Sequence, residues 1–324
     1  MSLIGVYSSR DFSDENSYFE VEALHFNLWI IPQRKRDVIF NCHNGKPLWS
    51  FIFPRFSRNY IDVGLRIKVI PGGGLNWVDL HLPATNSNGD LNFFDLSEVV
   101  LDDRMNDLLF GRKVDVDKEK RTISYYRDGK SVQDEVVKVQ KITDLKSNGR
   151  FRVEFAEPLK AQYSESYFYI RFRYECQNSD EILNKKGWGF AKAGFVIDVR
   201  LNDIRETVDF AEMNQSYNMK DVKEFNAFVV HPTNYMRSAQ SPNVHYSRLL
   251  EPNAWRPYLV TCEPYSDKQK YVINQWKTTG VVSSAEPYRM FAQLQNEFGL
   301  NVFIVYIGGI LSLPFLSWLA SLIY

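Results

Sequence analysis

Asp79 and His81 stand two residues apart in a stretch whose apolar residues alternate, so their side chains leave the same face of a strand. A carboxylate beside an imidazole is the minimum for general-base work or for half of a metal site. Nothing in the chain completes either. The other histidines (His25, His43, His231 and His245) are scattered, and there is no His-x-Glu, H-E-x-x-H or C-x-x-C. A surface hydrogen-bonded pair is the expectation, with no metal and no cofactor. A membrane-bound hydrolase using Asp79 and His81 stands as the enzymatic alternative.

The segment from Lys185 to Gly194 combines Lys185, Lys186, Trp188 and Lys192 with three glycines. Lysines can attract an anion, and glycines let the backbone approach it. The spacing is not G-x-G-x-x-G, so a dinucleotide fold does not follow. Either a connecting loop or a ligand or partner surface is expected there. A second strip, Phe228 to Tyr258, carries Tyr235, Arg237, Tyr246, Arg248 and Trp255, residue types enriched at interaction hot spots. It reads equally as a partner-binding surface and as a packing flap.

Other motifs carry less. Gly72-Gly73-Gly74 lacks the Gly-Lys-Ser/Thr of a phosphate loop and reads as a turn. Cys42-His43 are sequence neighbours, which rarely face each other as nucleophile and base. No G-x-S-x-G elbow is present. Arg34-Lys35-Arg36 reads as a solvated hairpin tip.

The elements that would hold these residues are mostly strands. The chain has 324 residues, 39 basic and 39 acidic, so no net field attracts nucleic acid. Apolar residues at 44% and aromatics at 15% favour a folded, β-rich protein over a disordered one. Three cysteines are too few for a disulfide framework. Ile61, Val63, Leu65, Ile67 and Val69 alternate with Asp62, Gly64, Arg66 and Lys68, a half-buried strand. Similar patterns cover 20–31, 38–42, 48–53, 77–82, 122–126, 132–142, 150–155, 167–174 and 195–201, with a short helix over 95–110. This pattern predicts a mainly β protein, an antiparallel β-sandwich, one large or two stacked. The expected divisions are a flexible arm over 1–17, a sandwich over 18–205 and a loop-rich extension over 206–283. Within that extension, 227–230 and 258–262 read as strands. A helix over 284–299 is placed on the spacing of Met290, Phe291, Leu294 and Phe298.

The chain's final stretch differs from the rest. Glu297 is its last charge, and the 27 residues Phe298 to Tyr324 carry none. Of the final 25, 18 are apolar, and 14 of those are Leu, Ile, Val or Phe. As a helix, at ~1.5 Å per residue, they reach roughly 37 Å against a hydrocarbon core of about 30 Å. Each of the 14 favours insertion by roughly 0.3 to 0.6 kcal/mol. Residues 300–324 are therefore expected to be a single transmembrane tail anchor. The polar N-terminus and the few cysteines direct the head to the cytoplasm. Gly308 and Ser312 form a small-xxx-small pair that would let spans associate into a homo-oligomer. The partners expected are the bilayer and a protein or small ligand, not nucleic acid. The leading functional expectation is a non-enzymatic recognition or sensor protein at the membrane. The alternative is a membrane-perturbing effector triggered through its head.

Overall fold

Apolar alternation along Ile61 to Val69 becomes the backbone of the fold, because it lies in one of two long strands that pair along nearly their whole length. The computed structural model describes residues 2–9, 19–32, 56–83, 91–110, 113–127, 129–145, 149–161, 164–176, 183–188, 192–203, 217–259, 262, 270–278, 280–297, 308, 312 and 318. In chain order the strands are β1 (Ser2–Ser9), β2 (Phe19–Pro32), β3 (Phe56–Val69), β4 (Gly74–His81) and β5 (Phe93–Asp95). Two short helices follow, α1 (Ser97–Val100) and α2 (Asp103–Phe110). Next come β6 (Asp115–Asp117), β7 (Thr122–Arg127), β8 (Lys130–Val137), β9 (Val139–Asp144), β10 (Arg150–Lys160) and β11 (Ser166–Cys176). They are followed by β12 (Leu183–Trp188), β13 (Lys192–Leu201), β14 (Tyr217–Met219), β15 (Phe225–Pro232), β16 (Tyr235–Ser241) and β17 (Tyr246–Leu250). A helix, α3 (Pro252–Leu259), precedes β18 (Tyr271–Lys277) and β19 (Tyr288–Glu297).

Among the described residues these strands form two sheets. The nine-stranded sheet runs β16-β19-β13-β1-β4-β10-β9, with β12 added to β13 and β14 to β1. The ten-stranded sheet runs β17-β18-β15-β2-β3-β11-β8-β7-β6, with β5 added to β11. One apolar cluster joins them. Val6, Leu80, Val153, Ile197 and Met290 enter it from the first sheet, and Phe26, Leu28, Ile61, Val63 and Ile170 from the second. Each such side chain contributes roughly 1.5 to 3 kcal/mol by leaving water. A sandwich-like pair of sheets around one core results.

Three strand pairs correct the expectation of an antiparallel fold. β1 runs parallel to β13, β2 to β15 and β8 to β11, so both sheets are mixed. Each parallel pair joins strands far apart in sequence, which local alternation cannot reveal. The Gly72 turn is as expected: its φ of +84° suits glycine, and Gly72 N–H donates to Ala161 O.

Several element assignments also change. Ser2–Ser9 is a strand rather than part of a flexible arm, because Ile4 and Val6 alternate into the core and β1 finds partners on both sides. The helix expected over 284–299 is instead strand β19 from Tyr288 to Glu297, hydrogen-bonded to β13 and β16. Met290 and Leu294 satisfy period two as well as period 3.6, and Ala292 between them is also buried. The expected loop-rich extension supplies strands to both sheets, β16 to one and β15, β17 and β18 to the other. Tyr258 and Leu259, expected to open a strand over 258–262, are instead the last residues of helix α3. Its first residue is Pro252, the residue best suited to open a helix.

Among the described residues, no helix is long and apolar enough to cross a membrane. Of Phe298 to Tyr324 only Gly308, Ser312 and Trp318 are described, each helical and exposed. The rest of the expected tail anchor, and the expected strands over 38–42 and 48–53, lie outside the described residues.

Candidate functional site

Because β3, β11 and, from Leu24 on, β2 alternate, every second residue there leaves the sandwich core for the outer face of the ten-stranded sheet. Register sets these residues in rows. His25, Gly64 and Arg171 form one row across β2, β3 and β11, and Asn226 on β15 extends it. Asn27, Asp62 and Arg173 form the next. This face is not solvated. α3 covers one part with Trp255, Tyr258 and Leu259, which pack on Trp29, Tyr60 and Val230. α1, α2 and the β7–β8 hairpin cover another part around Tyr125, Val136 and Tyr169.

Covering a polar face in this way requires its charges to be paired, since an unpaired buried charge is very costly. Asp62 is fully buried and accepts hydrogen bonds from four donors. Trp29 Nε1 lies 2.6 Å away, Tyr258 Oη 2.5 Å, and Arg173 contributes Nε at 2.5 Å and Nη2 at 2.9 Å. The Arg173 guanidinium also lies 4.5 Å from the Tyr258 ring centre. Arg171 donates from Nη1 to Tyr169 Oη at 2.8 Å and from Nε to Tyr258 Oη at 3.0 Å. The Tyr169 hydroxyl also lies within hydrogen-bond distance of His25 Nδ1, at 3.1 Å. Burial raises both phenols above the usual tyrosine value, so both hydroxyls keep their hydrogens.

The β7–β8 hairpin reaches over the same face. Asp134 on β8 spans β11 to form a two-point pair with Arg66 on β3, and Tyr125 donates to the same carboxylate. Arg127, at the end of β7, meets Glu224 just ahead of β15 at 3.3 Å. Hairpin and helix thus bracket the row of His25, Gly64 and Arg171.

The other sheet holds the pair noted in the sequence. Asp79 and His81 do share a face of β4, but the structure does not make them a dyad. Asp79 is buried and gripped by Arg152 through two bonds, 2.9 and 3.1 Å, while Arg152 lies over Trp77. His81 pairs in register with Arg150 on β10 and with Gly5 on β1. Burial, and then the Arg150 charge, push its pKa down to about 4. A neutral imidazole and a carboxylate committed to arginine are a structural arrangement. Among the described residues no group of three or more His, Cys, Asp or Glu is placed to hold a metal ion.

The Phe228 to Tyr258 strip is divided by the fold. Tyr235 is buried against Phe195, and Trp255 packs edge-to-face with Tyr258 and tilted against Trp29. Arg237 and Tyr246 lie on β16 and β17, the end strands of the two sheets, on the same side of the molecule. Arg237 Nη1 and Ser247 Oγ both donate to Asn274 Oδ1, at 2.8 and 2.6 Å. Asn274 in turn donates to His231 Nε2, whose Nδ1–H is held by Pro232 O. Arg248 lies 6.0 Å from the Trp255 ring. The strip is therefore part packing and part exposed edge.

Lys185, Lys186 and Trp188 are on β12, which pairs with β13 so that Trp188 faces Lys192 in register. Their side chains lie outside the described residues, as do Cys42, His43 and the Arg34–Arg36 run. Gly308 and Ser312 are helical and exposed.

The residues that sequence reading passed over are Asn27, Asp62, Arg171, Arg173 and Tyr258. For Asp62, Arg171 and Arg173 the signal was visible as charge alternating with apolar residues in β3 and β11, and it reads the same for a solvated face as for a covered one. A scan against protein-family models and a search of curated proteins each give no match to this chain.

Proposed function

We propose that this protein is a membrane-tethered, non-enzymatic recognition protein whose two-sheet head binds a small ligand or a protein and is held to a bilayer by its C-terminal apolar segment. The carrying observation is the run from Phe298 to Tyr324, 27 residues without a charge, beginning directly after strand β19. No helical stalk separates head from tether on this reading. β19 is hydrogen-bonded on both sides, so a force on the tether is delivered to the sheet itself.

Register supports a contact of the head with the lipid surface as well. Lys192 pairs with Glu297, so the β12–β13 hairpin, with Lys185, Lys186 and Trp188, extends from the end of β19 where the apolar run starts. Lysine and tryptophan are the residue types of the headgroup zone. Gly308 and Ser312 would let two spans approach. The buried thiols of Cys176 and Cys262 fit a head on the reducing, cytoplasmic side. The test is alkaline carbonate extraction of membranes from cells making the full chain. The expected result is full retention in the pellet; release into the supernatant refutes the tether.

A further inference from the structure

A strand at the end of a sheet presents N–H and C=O groups ready to pair, and folded proteins blunt such ends with very short strands, bulges, prolines, charges or covering chain. Among the described residues the strand orders of the two sheets run from β16 to β9 and from β17 to β6. Three of these four ends are blunted. β9 is covered: Ile142 O accepts from Leu91 N–H, and Val139 N–H donates to Asp95 Oδ1 at 3.1 Å. β6 has only three residues, two of them aspartates. β16 shifts register between Arg237 and Ala239, and Pro242 directly follows it. β17 is different. Its residues, Tyr246 to Leu250, pair with β18 in unbroken register and include no proline or lysine.

The two faces of β17 differ in chemistry. Leu250 is buried with the α3 residues, and the Arg248 guanidinium lies 6.0 Å from the Trp255 ring centre, so Tyr246, Arg248 and Leu250 share the α3 side. Ser247 is turned the other way, towards Asn274 and towards Arg237 on the end strand of the opposite sheet. Leu249, two residues on, shares that face and is 61% exposed. Charge decides what can pair there. No Asp or Glu occurs from Phe225 to Leu250 or along β18, while Arg237 and Arg248 are both exposed. A second copy laid antiparallel and centred on this strand would set Arg248 against Arg248, an unfavourable like-charge pair. An acidic segment makes the same position favourable. We propose that β17 accepts an extended acidic segment of a partner protein as one more strand, with acidic side chains beside Arg248 on the α3 face and aliphatic ones beside Leu249 on the other. Main-chain hydrogen bonds supply the affinity and the alternating side chains the selectivity. This rests on the recognition reading and names its partner class, and it fails or holds separately from the membrane tether, which carbonate extraction addresses.

The experiment is fluorescence anisotropy of a labelled peptide, Val-Glu-Val-Glu-Val-Glu-Val with blocked ends, titrated with the detergent-solubilised full chain. Saturable binding is expected. Arg248→Glu, a substitution at an exposed position, should weaken it by about tenfold or more and should bind instead the matching peptide with Lys in place of Glu. Arg248→Gln should fall between the two. N-methylation of every peptide amide, which removes the donors and keeps the charges, should abolish binding. Failure of the Glu peptide to bind wild type overturns the proposal. So does undiminished binding of the N-methylated peptide, or an Arg248→Glu chain, folded by its tryptophan fluorescence, that still prefers the Glu peptide. Disulfide-linked dimers of a chain carrying Cys42→Ser and Leu249→Cys would put a second copy on this edge and overturn it too.

Discussion

Tyr258 on α3 donates its hydroxyl hydrogen to Asp62 on the central strand β3, 196 residues away in sequence, and accepts one from Arg171 on β11. Through this one oxygen the helix is fastened to two strands of the ten-stranded sheet. The charge network beneath it depends on the helix for closure.

Removing that oxygen should therefore cost more than a surface hydrogen bond. Tyr258→Phe is expected to lower unfolding free energy by about 1–3 kcal/mol, since Asp62 and Arg171 each lose a buried partner. Asp62→Asn should cost more, about 3–5 kcal/mol, because it leaves Arg173 buried without its counter-charge. Urea unfolding of both variants checks the order. Equal losses, or a larger loss in Tyr258→Phe, would contradict it.

Gly64 is small because of what lies over it. A Cβ there would stand 2.7 Å from the Tyr169 hydroxyl, 3.2 Å from His25 Cβ and 3.3 Å from Arg171 Nη1. Gly64→Ala is expected to destabilise by about 1–3 kcal/mol through overpacking. Adding Tyr169→Phe removes the nearest atom, so the double variant should be less destabilised than the two single losses added together. Strict additivity in a double-mutant cycle would rule out this contact as the cause.

The half-buried imidazole of His81 gives a pH signature. His81 is held near pKa 4 when folded, whereas the unfolded chain takes up its proton near 6.5. Between these values the unfolded state binds more protons, so stability is full above about pH 6.5 and falls as pH drops towards 4. His231 is shifted in the same direction by burial and adds to the fall. Compared between about pH 7.5 and about pH 4.5, His81→Gln should lose less stability than wild type, retaining the share due to His231. An identical loss in the two proteins would show that His81 does not drive the effect.

Much of the fold was legible because alternation is a local property. Tyr60 to Ile70 and Tyr167 to Tyr174 could be recognised as strands from their own residues. What alternation could not provide was the partner. The parallel pairings β1–β13, β2–β15 and β8–β11 depend on contacts across long stretches of chain. β19 was misread because Met290 and Leu294, four apart, fit helix and strand equally, and only its neighbours β13 and β16 decide between them. The buried row was hidden for a related reason. Asp62, Arg66, Arg171 and Arg173 look like the solvated face of a half-buried strand until α3 and the β7–β8 hairpin cover them. Asp79 and His81 were correctly placed on one face, but Arg152 and Arg150, which set their chemistry, come from β10.

The tether is tested most directly by site-directed labelling of the segment itself. In a Cys42→Ser background, where Cys176 and Cys262 are buried, a cysteine is placed at Ser312 or at exposed Tyr126 of the full chain in sealed membranes. With a membrane-impermeant maleimide, Ser312→Cys is expected to stay unlabelled until detergent is added, while Tyr126→Cys reacts wherever the head is accessible. Labelling of Ser312→Cys as fast as Tyr126→Cys, before any detergent, would contradict the account.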